Sequence, residues 1–259
     1  MKAAVKAFRK SVMKKGDKKK AESIHYSMEP QLSYSLIDQK TGQVKVLVGG
    51  RGQKQDDLAL NRATSVKRQP GSTFKILSTY APAIDTMGYT LSTTIVDEPF
   101  SYSNGRPVEN WNHTYKGTVT VKQAIAQSMN VCAVKTLTAI TPQLGYDYLL
   151  NFGISTLVDN RVEKNGSVSS DIHQALALGG ITDGVTNLEM TAAYASIANG
   201  GMYNKPVLYT KVVDQNGNVL LSNKPTKKRI MKSSTAFLLT DAMKDVIAKG
   251  TGKDAKLSS

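Results

Sequence analysis

Two serines, a lysine and an asparagine carry the chemistry legible in this sequence. Ser72 and Lys75 stand three apart in "RQPGSTFKIL", residues 68–77, directly after Pro70 and Gly71. On a helix, residues three apart share a face, so the Lys75 amine can reach the Ser72 hydroxyl. A serine hydroxyl is a weak nucleophile until its proton is removed, and a neutral amine can remove it. Lysine gives up its own proton more easily when it is desolvated or near other positive charge. The unpaired N–H groups at a helix start supply such potential and favour a developing alkoxide. The pattern predicts Ser72 as nucleophile and Lys75 as its base.

The spacing alone is weak evidence. S-x-x-K also occurs at Ser11 and Lys14, in a basic tail with no pocket in prospect, and an N-capping serine followed by a surface lysine accounts for Ser72 equally well. A second feature is Ser128-Met129-Asn130, 56 residues beyond Ser72, inside a predicted helix or at a break in one. On a short extended or looped segment, S-x-N places a hydroxyl and a carboxamide on the same side. The hydroxyl can pass a proton to a leaving amine, and the amide can hold both a lysine and a substrate carbonyl. Taken alone, this tripeptide reads better as a polar helix face.

The elements that must position these groups read as α+β. Residues 32–50 alternate apolar and polar residues about a turn centred on Lys40, Thr41 and Gly42, which predicts a hairpin. "GSTFKILSTYAPAID" predicts a helix beginning after Pro70-Gly71, and residues 120–140 predict a second, burying Ala124, Ile125, Val131, Val134 and Leu137. Between them, residues 85–119 look like loops around short extended pieces. Thr186 and Glu189 fit a capping box for a helix stopped by Gly200. Asn216-Gly217 marks another hairpin, and an amphipathic helix runs from Ser233 to Ala248, closed by Gly250. Helices and antiparallel hairpins in mixed order argue against a parallel sheet.

Composition narrows the function classes. The 259 residues carry a net charge of +14, of which +8 falls in residues 1–20. That segment is either a solvated linker or a basic amphipathic helix with Ala4, Val5, Phe8 and Val12 on one face. With the basicity in a tail, five Phe and one Trp, a nucleic-acid partner is not expected. The single cysteine, Cys132, excludes an internal disulfide, and His25, His113 and His173 are too scattered for a metal site. No cofactor is expected. No stretch has the length and apolarity of a membrane span, nor the N-terminus that of a signal peptide.

Together, S-x-x-K and S-x-N resemble the penicillin-binding serine acyl-transferases, whose pattern continues with K-T-G. "NRATSVKRQPGSTFK", "GTVTVKQAIAQSMNVCAV", "ALALGGITDGVTNLEMTAAYASIANGGMY" and "VIAKGTGKDAKL" resemble successive stretches of the transpeptidase domain of class A, bifunctional penicillin-binding proteins, over roughly residues 30–257. "KVLVGG" and "VENWNHTYKG" fall where that family has similar strings. The resemblance implies a β-lactamase/D,D-peptidase-like transpeptidase fold, an antiparallel sheet flanked by helices, and a D,D-transpeptidase that cross-links peptidoglycan. Ser72 would attack the bond between two terminal D-alanines, Lys75 would take its proton, and Ser128 would relay one to the departing amine. Asn130 would bind Lys75 and the substrate backbone. β-Lactams would acylate the same serine.

The third motif departs from the family pattern. Lys40-Thr41-Gly42 precedes the nucleophile and reads as ordinary turn chemistry, while "KGTGK" at 249–253 resembles the turn the family has upstream of K-T-G. The expectation is a basic interdomain linker over 1–28 and a transpeptidase domain over 29–259 that stops short of K-T-G and several C-terminal strands, leaving this chain weakly active or inactive. The full-length protein would add a glycosyltransferase domain and membrane anchor at the extracytoplasmic face of a bacterial membrane. The competing readings are a non-catalytic β-lactam-binding module and a serine β-lactamase, for which Glu163 stays open as a deacylation base.

Overall fold

The alternation about Lys40–Gly42 does close a hairpin. Strands β1 (Tyr34–Ile37) and β2 (Val44–Val48) pair antiparallel, with Tyr34 opposite Val48. Gly42 takes the left-handed conformation, φ +76°, and its N–H donates to Asp38 O at 2.8 Å. This computed structural model describes residues 30–53 and 57–257. The basic segment 1–20, with Ser11 and Lys14, lies outside them. From Leu32 onward the chain belongs to one unit.

After a short helix α1 (Arg62–Ser65), capped by Asn61, comes the helical run 71–86, here α2. It is not the uniform α-helix that its pattern predicts. A 3-10 turn over Gly71–Thr73 leads into a π-helical stretch, Lys75–Tyr80, and then an α-helical turn, Ala81–Thr86. Pro82 explains the widening: with no N–H it cannot donate to Ser78 O in the α pattern, and Ala81 N–H reaches back to Ile76 O, five residues away. Phe74, Leu77 and Tyr80 are fully buried, so this helix runs through the core. Burying Phe74 and Leu77 stabilises the fold by about 1.5–3 kcal/mol each.

Residues 85–119 form two short antiparallel pairs, as expected. Strand β3 (Thr94–Asp97) pairs with β6 (Gly117–Thr120), and β4 (Phe100–Ser101) with β5 (Pro107–Val108). The single helix predicted over 120–140 is two. Helix α3 (Val121–Ala126) starts in a capping box of Thr120 and Gln123, and α4 (Asn130–Ile140) starts afresh after a break. Ser128 sits in that break with φ +50°, which no residue in a continuous α-helix adopts.

Helix α5 (Pro142–Asn151) and the hairpin β7–β8 (Arg161–Val162 and Val168–Ser169) are elements the sequence reading did not place. A 3-10 turn, Gln174–Leu178, precedes α6 (Asn187–Ala198), whose Thr186/Glu189 capping box forms with both reciprocal bonds. Strand β9 (Met202–Asn204) pairs with β12 (Lys227–Arg229), and β10 (Lys211–Val213) with β11 (Val219–Ser222) across the Asn216-Gly217 turn. Helix α7 (Ser233–Ala248) has the predicted bounds. Gly250 beyond it lets the chain lie against the end of α3, where Thr251 N–H donates to Ala126 O at 3.1 Å. The fold is α+β, and the described strands form two-stranded antiparallel pairs.

Candidate active site

Ser72 lies in the 3-10 turn that opens α2, and the turn is clamped from both sides. Arg68 and Val185 exchange backbone hydrogen bonds of 2.9 and 2.8 Å. Ile181 N–H donates to Gln69 Oε1 at 3.0 Å, while Gln69 Nε2 donates to Ile181 O. Gly179, φ +73°, lies directly against the backbone of Gly71. From the other side, the Tyr194 hydroxyl of α6 donates to Thr73 O at 2.7 Å. These contacts fix the backbone at Ser72 without touching its hydroxyl.

Lys75 begins the π-helical stretch and is only 3% exposed. Its amine donates to Ser128 O at 2.6 Å, to Ser128 Oγ at 3.0 Å and to Asn130 Oδ1 at 2.6 Å. The Ser72 hydroxyl, which helical spacing put within reach, is not among these partners. Burial lowers the lysine pKa to about 8. Burial pushes the neighbouring Cys132 thiol up to about 12, so it is uncharged where Lys75 titrates.

The three contacts suit both charge states. An ammonium fills them with its three N–H groups. A neutral amine keeps two donors for Ser128 O and Asn130 Oδ1, which only accept, and turns its lone pair to the Ser128 hydroxyl, which can donate. The left-handed backbone at Ser128 makes this possible, because its carbonyl and hydroxyl both meet one amine. Asn130 is fixed in turn: its Nδ2 donates to Glu109 O at 2.7 Å, which leaves Oδ1 for Lys75.

Ser72, Lys75 and Ser128 line one cavity of about 400 Å³, together with Tyr80, Tyr194 and Thr251. Sequence reasoning anticipated the first three; it missed the roles of Gln69, Gly179 and Tyr194, which act on the turn from distant positions. It also missed Asn110, whose Oδ1 accepts from Asn130 N at 2.9 Å. One signal was available: Met129, at the N-cap of α4, has no side-chain acceptor, so the helix start needs one from elsewhere. Lys40-Thr41-Gly42 stays in its hairpin turn and lines no part of the cavity. Glu163 pairs with Arg161 Nε at 2.9 Å and Ser169 Oγ at 2.8 Å, likewise off the cavity wall.

A helix that presents a serine on its first turn and a buried lysine on its next, faced by an S-x-N break, belongs to the β-lactamase/D,D-peptidase class of fold. Solved structures agree at the level of fold. Penicillin-binding protein 1A from Haemophilus influenzae superposes with a TM-score of 0.69 at 23% identity, over 86% of this chain and 36% of that one. The PonA1 protein from Mycobacterium tuberculosis, solved in complex with penicillin V, gives 0.70 at 22%, over 96% and 61%. Residues 32–258 match the family model described as the penicillin binding protein transpeptidase domain, and the chain belongs to that family. Among curated relatives, penicillin-binding protein 1A of Clostridium tetani is 36% identical over 232 residues, 87% of this chain and 29% of that protein. Its namesake in Streptococcus pneumoniae is 36% identical over 237 residues, 89% and 31% respectively. The chain thus spans about a third of these relatives' length or less.

Proposed function

We propose that this domain transfers an acyl group through a Ser72 ester, with stem peptides ending in D-alanyl-D-alanine as donors and β-lactams as mimics. Ser72 Oγ attacks the peptide carbonyl between the two D-alanines while its proton passes to Lys75 Nζ, whose lone pair swings from the Ser128 hydroxyl to Ser72. The C–N bond then breaks, and Ser128 hands a proton to the departing nitrogen as Lys75 returns one to Ser128. The products are an ester on Ser72 and free D-alanine. An amine from a neighbouring stem peptide attacks that ester, forms the cross-link and restores the serine hydroxyl. Asn130 keeps Lys75 aligned and offers its amide edge to the substrate backbone.

The observation that carries this reading is the buried Lys75 amine, poised near pH 8, bonded to Ser128 and Asn130 and sharing a cavity with Ser72. At pH 7 about a tenth of such an amine is neutral, enough to serve as a base. The Lys-Thr-Gly of this sequence, residues 40–42, lies away from the cavity. In the whole protein, the resemblance to class A penicillin-binding proteins suggests a glycosyltransferase domain and membrane anchor upstream, with residues 1–28 as a basic linker and peptidoglycan at the extracytoplasmic face as substrate. No helix among the described residues is long and apolar enough to cross a membrane.

Incubation with a penicillin followed by intact-mass measurement tests the reading. The expected result is stoichiometric addition of one penicillin, abolished in Ser72→Ala. A folded chain that never gains the adduct, or a Ser72→Ala variant that still does, would overturn it.

A further inference from the structure

Helix α4 begins at Asn130 without a local cap. Met129 occupies the N-cap position and has no acceptor, yet the first N–H groups of a helix need one. The acceptor comes from 20 residues upstream: Asn110 Oδ1 takes Asn130 N–H at 2.9 Å and Val131 N–H at 3.3 Å. Asn110 is only 4% exposed. Its own amide is oriented from behind, where Nδ2 donates to Asp97 Oδ1 at 2.9 Å, to Asp97 Oδ2 at 3.1 Å and to Thr114 O at 3.0 Å. Asp97, at the end of β3 and 1% exposed, also accepts Lys116 N–H at 3.0 Å.

The chemistry allows only one orientation of this amide. Backbone N–H groups only donate, so they face Oδ1; a carboxylate and a carbonyl only accept here, so they face Nδ2. Asp97 thereby dictates which end of Asn110 meets α4. The helix start then dictates where Asn130 stands, and Asn130 Oδ1 is one of the three acceptors on Lys75. The neighbouring residue, Glu109, reinforces the chain by accepting Asn130 Nδ2.

We infer that Asn110, oriented by Asp97, is a positioning residue for acyl transfer: it caps α4 from a distance and so sets Asn130 against the Lys75 amine. This rests on the acyl-transfer reading above. Neither side chain lines the Ser72 cavity, so any effect on acylation runs through Asn130 and Lys75.

The test exploits the donor and acceptor logic. Asn110→Asp sets two carboxylates against each other, and Asp97→Asn turns one of the two carboxylate acceptors behind the amide into a donor. The double exchange restores an acceptor toward α4 and a donor–acceptor pair between positions 97 and 110, and leaves Thr114 O without its donor. Each single variant is expected to be acylated by penicillin about tenfold more slowly or worse, and the double variant to be faster than either single variant but slower than the parent. Circular dichroism confirms folding of each. Folded single variants with the parent's rate, or a folded double variant no faster than the singles, would overturn the inference.

Asn110→Ser covers the case in which a single exchange fails to fold, and it leaves the net charge unchanged. Lys75 is followed by NMR titration of its side chain in the full chain, a readout independent of acylation. Among the described residues around Lys75, the Cys132 thiol of α4 and the Tyr80 and Tyr194 hydroxyls titrate, and burial raises all three above their ordinary values. Loss of Asn130 as an acceptor for the ammonium moves the Lys75 pKa below the parent's. An unchanged titration in folded Asn110→Ser would overturn the inference even if the parent proved unreactive to penicillin, a result that would count against the acyl-transfer reading alone.

Discussion

Gly179 stands against Gly71 so closely that a Cβ on Gly179 would lie 2.9 Å from Gly71 Cα and nearer still to its backbone N and O. With φ +73° at Gly179 and +57° at Gly71, both residues of the contact lie in the left-handed region. The turn bearing Ser72 is thus built on two glycines meeting backbone to backbone. Gly179→Ala adds both a clash and an unfavourable conformation, and it is expected to cost more than about 1 kcal/mol of stability. A thermal melt reads that loss, and the penicillin adduct should form more slowly because the nucleophile's turn is what gives way.

Acylation should follow the neutral fraction of Lys75. The folded pKa of about 8 lies below the ordinary lysine value because the amine is buried. The rate should therefore rise tenfold per pH unit below 8 and level off above it. Lys75→Arg, whose guanidinium stays charged, is expected to lose at least about a hundredfold at every pH. A rate flat between pH 6 and 9 would count against Lys75 as the base. The same shift bears on stability. Because the folded pKa is the lower one, the unfolded chain binds more protons between pH 8 and 10.5, and this group's contribution favours folding progressively as pH rises through that window.

Ser128 combines a hydroxyl that meets the Lys75 amine with a strained backbone, φ +50°. Ser128→Gly and Ser128→Ala both remove the hydroxyl that meets Lys75 at 3.0 Å, so both should slow acylation by about a hundredfold. Their stabilities should differ: glycine relieves the left-handed conformation, so Ser128→Gly should exceed Ser128→Ala by about 1 kcal/mol in denaturant unfolding. Equal stabilities would mean that the break tolerates a side chain without strain.

The lifetime of the acyl-enzyme should not depend on Glu163. Ser169 and Arg161 hold its carboxylate below the usual range by hydrogen bonds, so it is a weak base as well as off the cavity wall. Glu163→Gln is expected to leave the decay of the penicillin adduct unchanged by intact mass. A markedly longer-lived adduct would revive the β-lactamase alternative.

The sequence by itself determined the features that depend on near neighbours. The Thr186/Glu189 capping box, the Asn216-Gly217 turn and the span Ser233–Ala248 are settled by bonds between residues a few positions apart, and each was legible. Motifs, and the family resemblance they carry, also singled out Ser72, Lys75, Ser128 and Asn130, which the structure brings to one cavity and one hydrogen-bond cluster.

Only the tertiary structure decided how those four residues stand to one another. Helical spacing pointed Lys75 at Ser72, but packing gave its amine to Ser128 and Asn130, more than fifty residues away. Periodicity ran one helix from 120 to 140, because apolar residues repeat at helical spacing straight across a break that only the φ of Ser128 reveals. The cap of α4 escaped for the same reason: its acceptor is Asn110, brought there by the β3–β6 pair and held by Asp97. Local propensity fixes bonds within a turn of helix or hairpin, whereas contacts across the core are chosen by which surfaces bury together, and no window of sequence contains both partners.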